Sequence, residues 1–247
     1  GGLLVQPVHP NEAPSTRLIK EIAERSELMP NLEELCDGIG PRMTGSRQLG
    51  AAQAWAMARL RAYGAVDVRL EPYELGRPWR RGVARARLLN ASGIALDVVQ
   101  QAWTKGTGGA VKADVAVLDV KTLAEFNAAA PALKGKIVLL VSTPAPTPGQ
   151  KQNIKDYRAE LKRAYAKAQF AAVLAISGRE GNLFDMWGGP AAPFERAAGI
   201  ITQEHARLLQ RLLAKGSVPR IELELGGAFG KQPVKAYNVV ADLPGTD

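Results

Sequence analysis

The chain has 247 residues, enough for one large domain or two modest ones with a real core. With 46% apolar and 23% charged residues its composition is that of a globular protein, and no run of about 18 apolar residues is present to span a bilayer. The net charge of +8 admits an acidic partner such as nucleic acid or an anionic envelope surface, and it also suits plain solubility.

In chain order, the opening "GGLLVQPVHPNEAP" lacks the basic start and apolar core of a signal peptide and reads as a leader. The stretch "STRLIKEIAERSELMPNLEELCDGI" is helical. Leu18, Ile22 and Leu28, then Leu32, Leu35 and Ile39, recur at helical spacing. Ser15 or Thr16 can cap its start, and Pro30 can open a second short helix, where its missing N–H costs nothing. "GIGPRMTGS" is a turn. Ser46 is a good N-cap for "RQLGAAQAWAMARLRAYGA", with Leu49, Ala52, Trp55 or Ala56, Leu60 and Tyr63 on one face and Gly64 as the stop. "VDVRLEPYEL" alternates as a strand with Val66, Val68 and Leu70 inward, and Pro72 marks a bulge or an edge. "RRGVARARLLN" alternates less cleanly around Val83, Ala84, Ala86 and Leu88.

Near residue 91 the texture changes, and short apolar strands alternate with helices. "ADVAVLDV", "KGKIVLLVS", "FAAVLAIS", "AAGIIT" and "RIELELGG" are the strands; Lys121 to Ala130, Lys151 to Gln169 and Glu204 to Lys215 are the helices. That alternation predicts an α/β or mixed layered domain. "FGKQP" is then a linker, and "KAYNVVADL" is a strand of the earlier kind. The layout is that of an insertion: one domain starts, a second interrupts it, and the last strand returns to the first. No internal repeat or low-complexity tract is found.

Self-sufficient catalytic chemistry is hard to find. Cys36 excludes an internal disulfide by being alone, and at the apolar edge of a helical pattern it reads as a buried small hydrophobe. Only His9, in the leader, and His205 could serve a thiol or a metal. Glu204 is next to His205, but adjacent helix positions do not share a face, so His205 reads as a surface helix histidine. There is no H-E-x-x-H, C-x-x-C or G-x-S-x-G. "KGTGGAV" has Gly106, Gly108 and Gly109, but Val111 stands where a dinucleotide fingerprint needs its third glycine; a turn between strands accounts for it. Trp187 beside Gly188 and Gly189 could be an exposed contact or a plug under a loop. The positive charge peaks in "KQNIKDYRAELKRAYAKAQ". Lys151, Lys155, Arg158 and Lys162 follow helical spacing with Arg163 and Lys167 beside them, opposite Tyr157, Leu161, Tyr165 and Ala168. The bland reading is a solvated helix face. No aromatic–basic interleaving suggests a base-stacking platform, so nucleic acid is not expected as a partner.

Taken together, the segments resemble the amino-terminal part of secreted co-catalytic di-zinc exopeptidases that carry a protease-associated domain, the group that includes aminopeptidases, the transferrin receptor and glutamate carboxypeptidase. "LCDGIGPRMTGS" followed by "AAQAWAMARLRAYGAVDVRLEPYEL" carries the resemblance. "LKGKIVLLV", "YAKAQFAAVLAIS" and "AAGIITQEHARLLQRLLAKG" look like hallmarks of the protease-associated fold, and "YNVVADLPGTD" looks like the strand where the peptidase domain resumes. The resemblance implies a mixed α/β fold: a swivelling β/α domain at residues 91–230, inserted between residues 1–90 and a return strand at 231–247 of a peptidase domain. It implies that the His-x-Asp zinc pair and the other ligands would come after Asp247, so that the chain stops inside its peptidase domain. No catalytic or metal residue can then be assigned in this chain, its substrate-binding residues are unknown, and it holds no cofactor by itself. Two zinc ions and a peptide substrate would belong to the full-length enzyme, secreted or periplasmic, with this chain inactive alone. The strand from Lys235 to Leu243 would offer an open edge for self-association. The alternative, from a different class, is a stand-alone interaction module whose basic helix binds an anionic surface or nucleic acid, marked by salt-dependent binding.

Overall fold

The computed structural model of the chain describes residues 13–90, 93–185 and 196–245. The chain divides into two compact units. Gly1–Tyr73 with Ala236–Asp247 forms one, and Glu74–Lys235 forms the other.

The first unit opens with α1, Pro14–Arg25. Its N-cap residue is Ala13 and no side chain caps it, so Ser15 and Thr16 lie inside the first turn and not at the cap. Next comes α2, Leu28–Glu33, which starts two residues ahead of Pro30. The chain then widens into a π-helical turn, Glu34–Ile39, which ends at Gly40 with φ 80°. The i+5 register of that turn changes the helical phase, and Cys36 comes out exposed, not buried as its α-helical pattern suggests. Arg42 holds the end of the turn: its guanidinium donates to the Leu35 carbonyl and, at 2.8 Å, to the Gly40 carbonyl. Then follows α3, Arg47–Ala62, capped as expected by Ser46, whose hydroxyl accepts from the Leu49 amide at 3.1 Å. Tyr63 is exposed, and its hydroxyl donates to Glu27 at 2.6 Å.

The strand β1, Val66–Gly76, most of which lies in this unit, pairs with β12, Val234–Asp242, in a two-stranded sheet. Gln53 of α3 donates to the Tyr237 carbonyl at 2.6 Å and ties the helix to β12. The apolar stripe read from the sequence is present but not buried. Leu18, Ile22, Leu28 and Leu32 are exposed, as are Val66 and Leu70 of β1. Periodicity finds an apolar face; it does not supply what covers it. Among the described residues the buried apolar side chains of this unit are Ala52 and Ala236.

The second unit is built on an eight-stranded sheet. Its strands are β3 (Ala84–Leu88), β4 (Ala95–Leu96), β5 (Val98–Gln100), β6 (Val111–Asp119), β7 (Ile137–Ser142), β8 (Ala172–Ile176), β9 (Ala198–Ile201) and β10 (Arg220–Leu225). They lie in the order β4-β3-β10-β6-β7-β8-β9-β5. The run β6 to β9 is parallel, and the strands on either side of it pair antiparallel. The two outermost strands are consecutive in sequence. Ala95 and Leu96 pair with β3, Val98 to Gln100 pair with β9, and only Asp97 stands between them. The sheet therefore closes on itself through one residue, which removes its free edges.

Closure makes two apolar compartments. Ile137 and Leu139 of β7 point into a core with Leu88, Val115, Leu174 and Ile221, plugged by Leu209 of α7, Gln203–Ala214. Val138 and Leu140 point the other way, against α4 (Leu123–Ala129) and α6 (Ile154–Lys167). A strand covered on both faces needs an unbroken apolar run, which is why "IVLL" does not alternate. On the helical side Phe126 packs on Tyr165 with ring centroids 4.5 Å apart. The long helix expected from Lys151 is two: α5, Pro148–Gln152, and α6, with Asn153 as the break. A short ribbon, β2 (Trp79–Arg80) with β11 (Ala228–Phe229), lies where the chain enters and leaves this unit.

Candidate functional site

The carboxyl ends of parallel strands are where α/β sheets usually hold ligands. In this sheet Asp119, Ser142, Ser177 and Thr202 stand there, and each is engaged locally. The Ser142 hydroxyl reaches the Asp119 carboxylate at 2.6 Å and the Val120 carbonyl at 2.8 Å. Ser177 donates to the Leu183 carbonyl at 2.8 Å and accepts from the amides of Arg179 and Asp185 at 3.2 and 3.1 Å. Asp185 in turn accepts from the Gly178 amide and from Arg179 at 3.0 Å. Ser177 thus organises a turn. Among the described residues no histidine or lysine is hydrogen-bonded to it as the base of a nucleophile would be.

His205 is the one histidine among the described residues, and it is not the free surface group the sequence suggests. Its side chain is 19% exposed. Nδ1 accepts from the Asp97 amide at 3.0 Å and lies 3.0 Å from the Thr202 hydroxyl. An accepting Nδ1 leaves the proton of the neutral ring on Nε2. The histidine therefore pins Asp97, the residue through which the sheet closes, to the start of α7. Glu204 turns elsewhere and accepts from the Gly181 amide at 2.9 Å. Its own amide, with those of Gly181 and Asn182, holds its carboxyl below the usual range. The two adjacent residues thus serve different loops.

An open groove of about 600 Å³ runs along β3, β4 and β10, with Arg85, Arg87, Asp97, Glu222 and Glu224 in its lining. Its charges are largely paired. Arg85 meets Glu224 at 3.0 Å, Arg87 meets Glu222 at 3.5 Å, and Lys112 meets Glu222 at 3.0 Å. The Lys112 ammonium and the neighbouring arginines hold Glu222 below the usual carboxylate range. Such a ladder fixes strand register across the face; it contains no nucleophile.

A buried polar cluster was not legible in the sequence. Gln100 accepts from the Gly227 amide at 2.5 Å and donates to the Lys105 carbonyl at 3.1 Å. The Trp79 indole donates to the Thr104 carbonyl at 2.8 Å, and Trp79 stacks with Trp103 at 6.3 Å. A Cβ on Gly227 would stand 2.4 Å from the Trp79 ring, so only glycine allows this approach. Next to it Gln101 is 1% exposed, and neither end of its amide has a hydrogen-bond partner among the described residues. Two glutamines in the apolar setting of β5 were the available signal. Gly106, Gly108 and Gly109 form the expected turn, but a tied one: Thr107 exchanges bonds with Leu225. His9 and the Trp187 to Gly189 loop lie outside the described residues.

A zinc centre needs three or four converging ligands. Among the described residues no group of three His, Cys, Asp or Glu could hold a metal. Asp97 beside His205 supplies two donors at most, and Nδ1 is already bonded. The described residues do not fit the two-zinc site of the resembled enzymes.

The class of fold is mixed α/β of the kind seen in M28 peptidases. A Shewanella amazonensis protein described as a peptidase M28 precursor superposes with a TM-score of 0.67 at 25% identity, covering 92% of this chain and 52% of that one. A Bacillus subtilis zinc aminopeptidase shares the fold at a TM-score of 0.55 and 16% identity, over 88% of this chain and 47% of its own. Among curated proteins the chain is similar to carboxypeptidase Q. It is 26% identical to the Mus musculus protein and 28% to the Xenopus laevis protein, over 86% and 85% of this chain. The chain spans 44% of the length of those relatives. No family model matches it.

Proposed function

We propose that this chain is the helical entry and the inserted protease-associated unit of a secreted zinc-dependent exopeptidase, non-catalytic by itself, with the inserted unit governing which peptides reach the metal site. The observation that carries the reading is the co-linear similarity to carboxypeptidase Q over 86% of the chain. The path of the chain supports it: Glu74–Lys235 is a compact unit set between two stretches that belong to another. The closed sheet of that unit, with every strand-end hydroxyl engaged, suits a rigid wall more than a reaction centre. In the complete enzyme two zinc ions would activate water for attack on a terminal peptide bond; none of the residues described here is assigned to that step.

Two measurements test this. The purified chain with added zinc should release no arylamine from amino-acyl arylamides; chelator-sensitive release would overturn the assignment. Second, residues 74–235 should replace the matching stretch within the complete Bacillus subtilis zinc aminopeptidase. The zinc-loaded chimera should remain a peptidase and change its ranking of peptides by length. An active chimera with the parental ranking would refute the access role.

A further inference from the structure

Helix α6 carries five cations, Lys155, Arg158, Lys162, Arg163 and Lys167, against two carboxylates, Asp156 and Glu160. Its buried side is settled by Tyr157, Leu161 and Tyr165. At 100° per residue Lys155, Arg158 and Lys162 line one strip of the outward side without an acid between them, while Asp156 and Glu160 share their strip with Arg163 and Lys167. Lys151 of α5 precedes the strip. All of these cations are exposed.

Two observations set this strip apart from ordinary surface charge. The arginines on the open sheet face have carboxylates within reach, as Arg85 has Glu224 and Arg87 has Glu222. Lys155 and Arg158 of the strip, and Lys151 before it, form no ion pair with a carboxylate among the described residues. Lys155 also stands in the first turn of α6, where the helix dipole disfavours a cation. Unneutralised charge at an unfavourable position is what an absent anion would explain.

We propose that α6 docks the chain onto an anionic lipid surface. The strip is straight, and its cations enclose no large apolar side chain. A protein partner is expected to meet an apolar centre inside a polar rim. The tyrosines that could stack on bases, Tyr157 and Tyr165, are buried in the core, so a single-stranded nucleic acid finds no platform. A flat surface of phosphate headgroups needs only a row of cations, with each one near it strengthening binding roughly fivefold. This proposal does not depend on the peptidase reading.

The test is co-sedimentation of the whole chain with vesicles of phosphatidylcholine alone or with about a third phosphatidylserine, at about 50 and about 200 mM salt. Binding should need the acidic lipid and fall about tenfold at the higher salt. K155E/R158E should weaken it by about tenfold or more, and K155Q/R158Q by several-fold, with circular dichroism unchanged. R17E/K20E, which removes the same charge from exposed positions of α1, should stay within about twofold. Equal losses in the two glutamate variants would reduce the effect to net charge and overturn the proposal. So would wild-type binding that ignores acidic lipid. Retention of duplex DNA by the same residues, with no vesicle binding, would assign the strip to nucleic acid instead.

Discussion

Single side chains carry sharp tests. Ser46 accepts from the Leu49 amide and satisfies one of the open donors of α3. Ser46→Ala should cost about 1 kcal/mol in urea unfolding followed by Trp55 fluorescence. An unchanged midpoint would mean that α3 frays freely at this end. Gln100 and Gln101 make a closer comparison, because they are neighbours, each 1% exposed, with opposite accounts. Gln100 bonds the Gly227 amide and the Lys105 carbonyl, so Gln100→Leu would leave buried groups unpaired and should cost about 2 kcal/mol. Gln101 has both amide atoms buried and unbonded, a desolvation cost with nothing set against it. Gln101→Leu should therefore stabilise the chain by about 1 kcal/mol. Equal destabilisation by both would show that Gln101 has a partner of its own.

At the scale of elements, the strongest patterns were legible. "KGKIVLLVS" announced a strand, and Tyr157, Leu161 and Tyr165 announced the inner side of α6. Ser46 announced a cap. What escaped was too short or depended on distant partners. Ala95–Leu96 and Val98–Gln100 are below the length at which alternation can be seen, yet they close the sheet. The π-helical turn at Glu34–Ile39 moved Cys36 to the surface without any mark in composition. The Thr122–Glu125 capping box of α4 is a signal that the T-x-x-E spacing carries in the sequence. The Gln100 cluster was not legible, since Gln100 and its partner Gly227 stand 127 positions apart. The charge ladder on β3, β10 and β6 leads to a pH effect. Glu222 is held below its ordinary value of 4.5 by Lys112 first, then by Arg87 and Arg85. A carboxylate whose folded value is lowered stabilises the fold above its unfolded value, and that contribution disappears as pH falls through the folded one. Between pH 7 and 3 the chain should lose stability on the acid side, and Glu222→Gln should make that limb shallower. Glu125 and Glu204, lowered by backbone amides, should keep it from becoming flat. A variant with the wild-type acid slope would show that the ladder contributes nothing.

Across the whole molecule, stability should be unevenly divided. The Glu74–Lys235 unit holds two large apolar clusters around a closed sheet. The other unit, among its described residues, buries Ala52 and Ala236, and exposes Leu18, Ile22, Leu28 and Leu32. Local opening follows buried contact, so the two should not exchange alike. Within the closed sheet β7 has β6 on one side and β8 on the other, with Ile137 to Leu140 buried. By contrast β12 has β1 as its strand partner, and of its nine residues only Ala236 is buried. The outer edge of β1 is guarded by Asp67, Arg69, Glu71 and Pro72, the residues that discourage strand addition. On β12 the charges are confined to Lys235 and Asp242, leaving "AYNVVA" open between them. Hydrogen exchange read by mass spectrometry should therefore show Val234–Asp242 losing protection well before Ile137–Ser142. Raising the protein concentration should slow exchange in β12 selectively, as molecules pair through that edge, and light scattering should report the larger species at the same concentrations. Equal protection of β12 and β7 in a sample that scatters as a monomer would mean that the edge is covered within one chain, and self-association through it would be excluded.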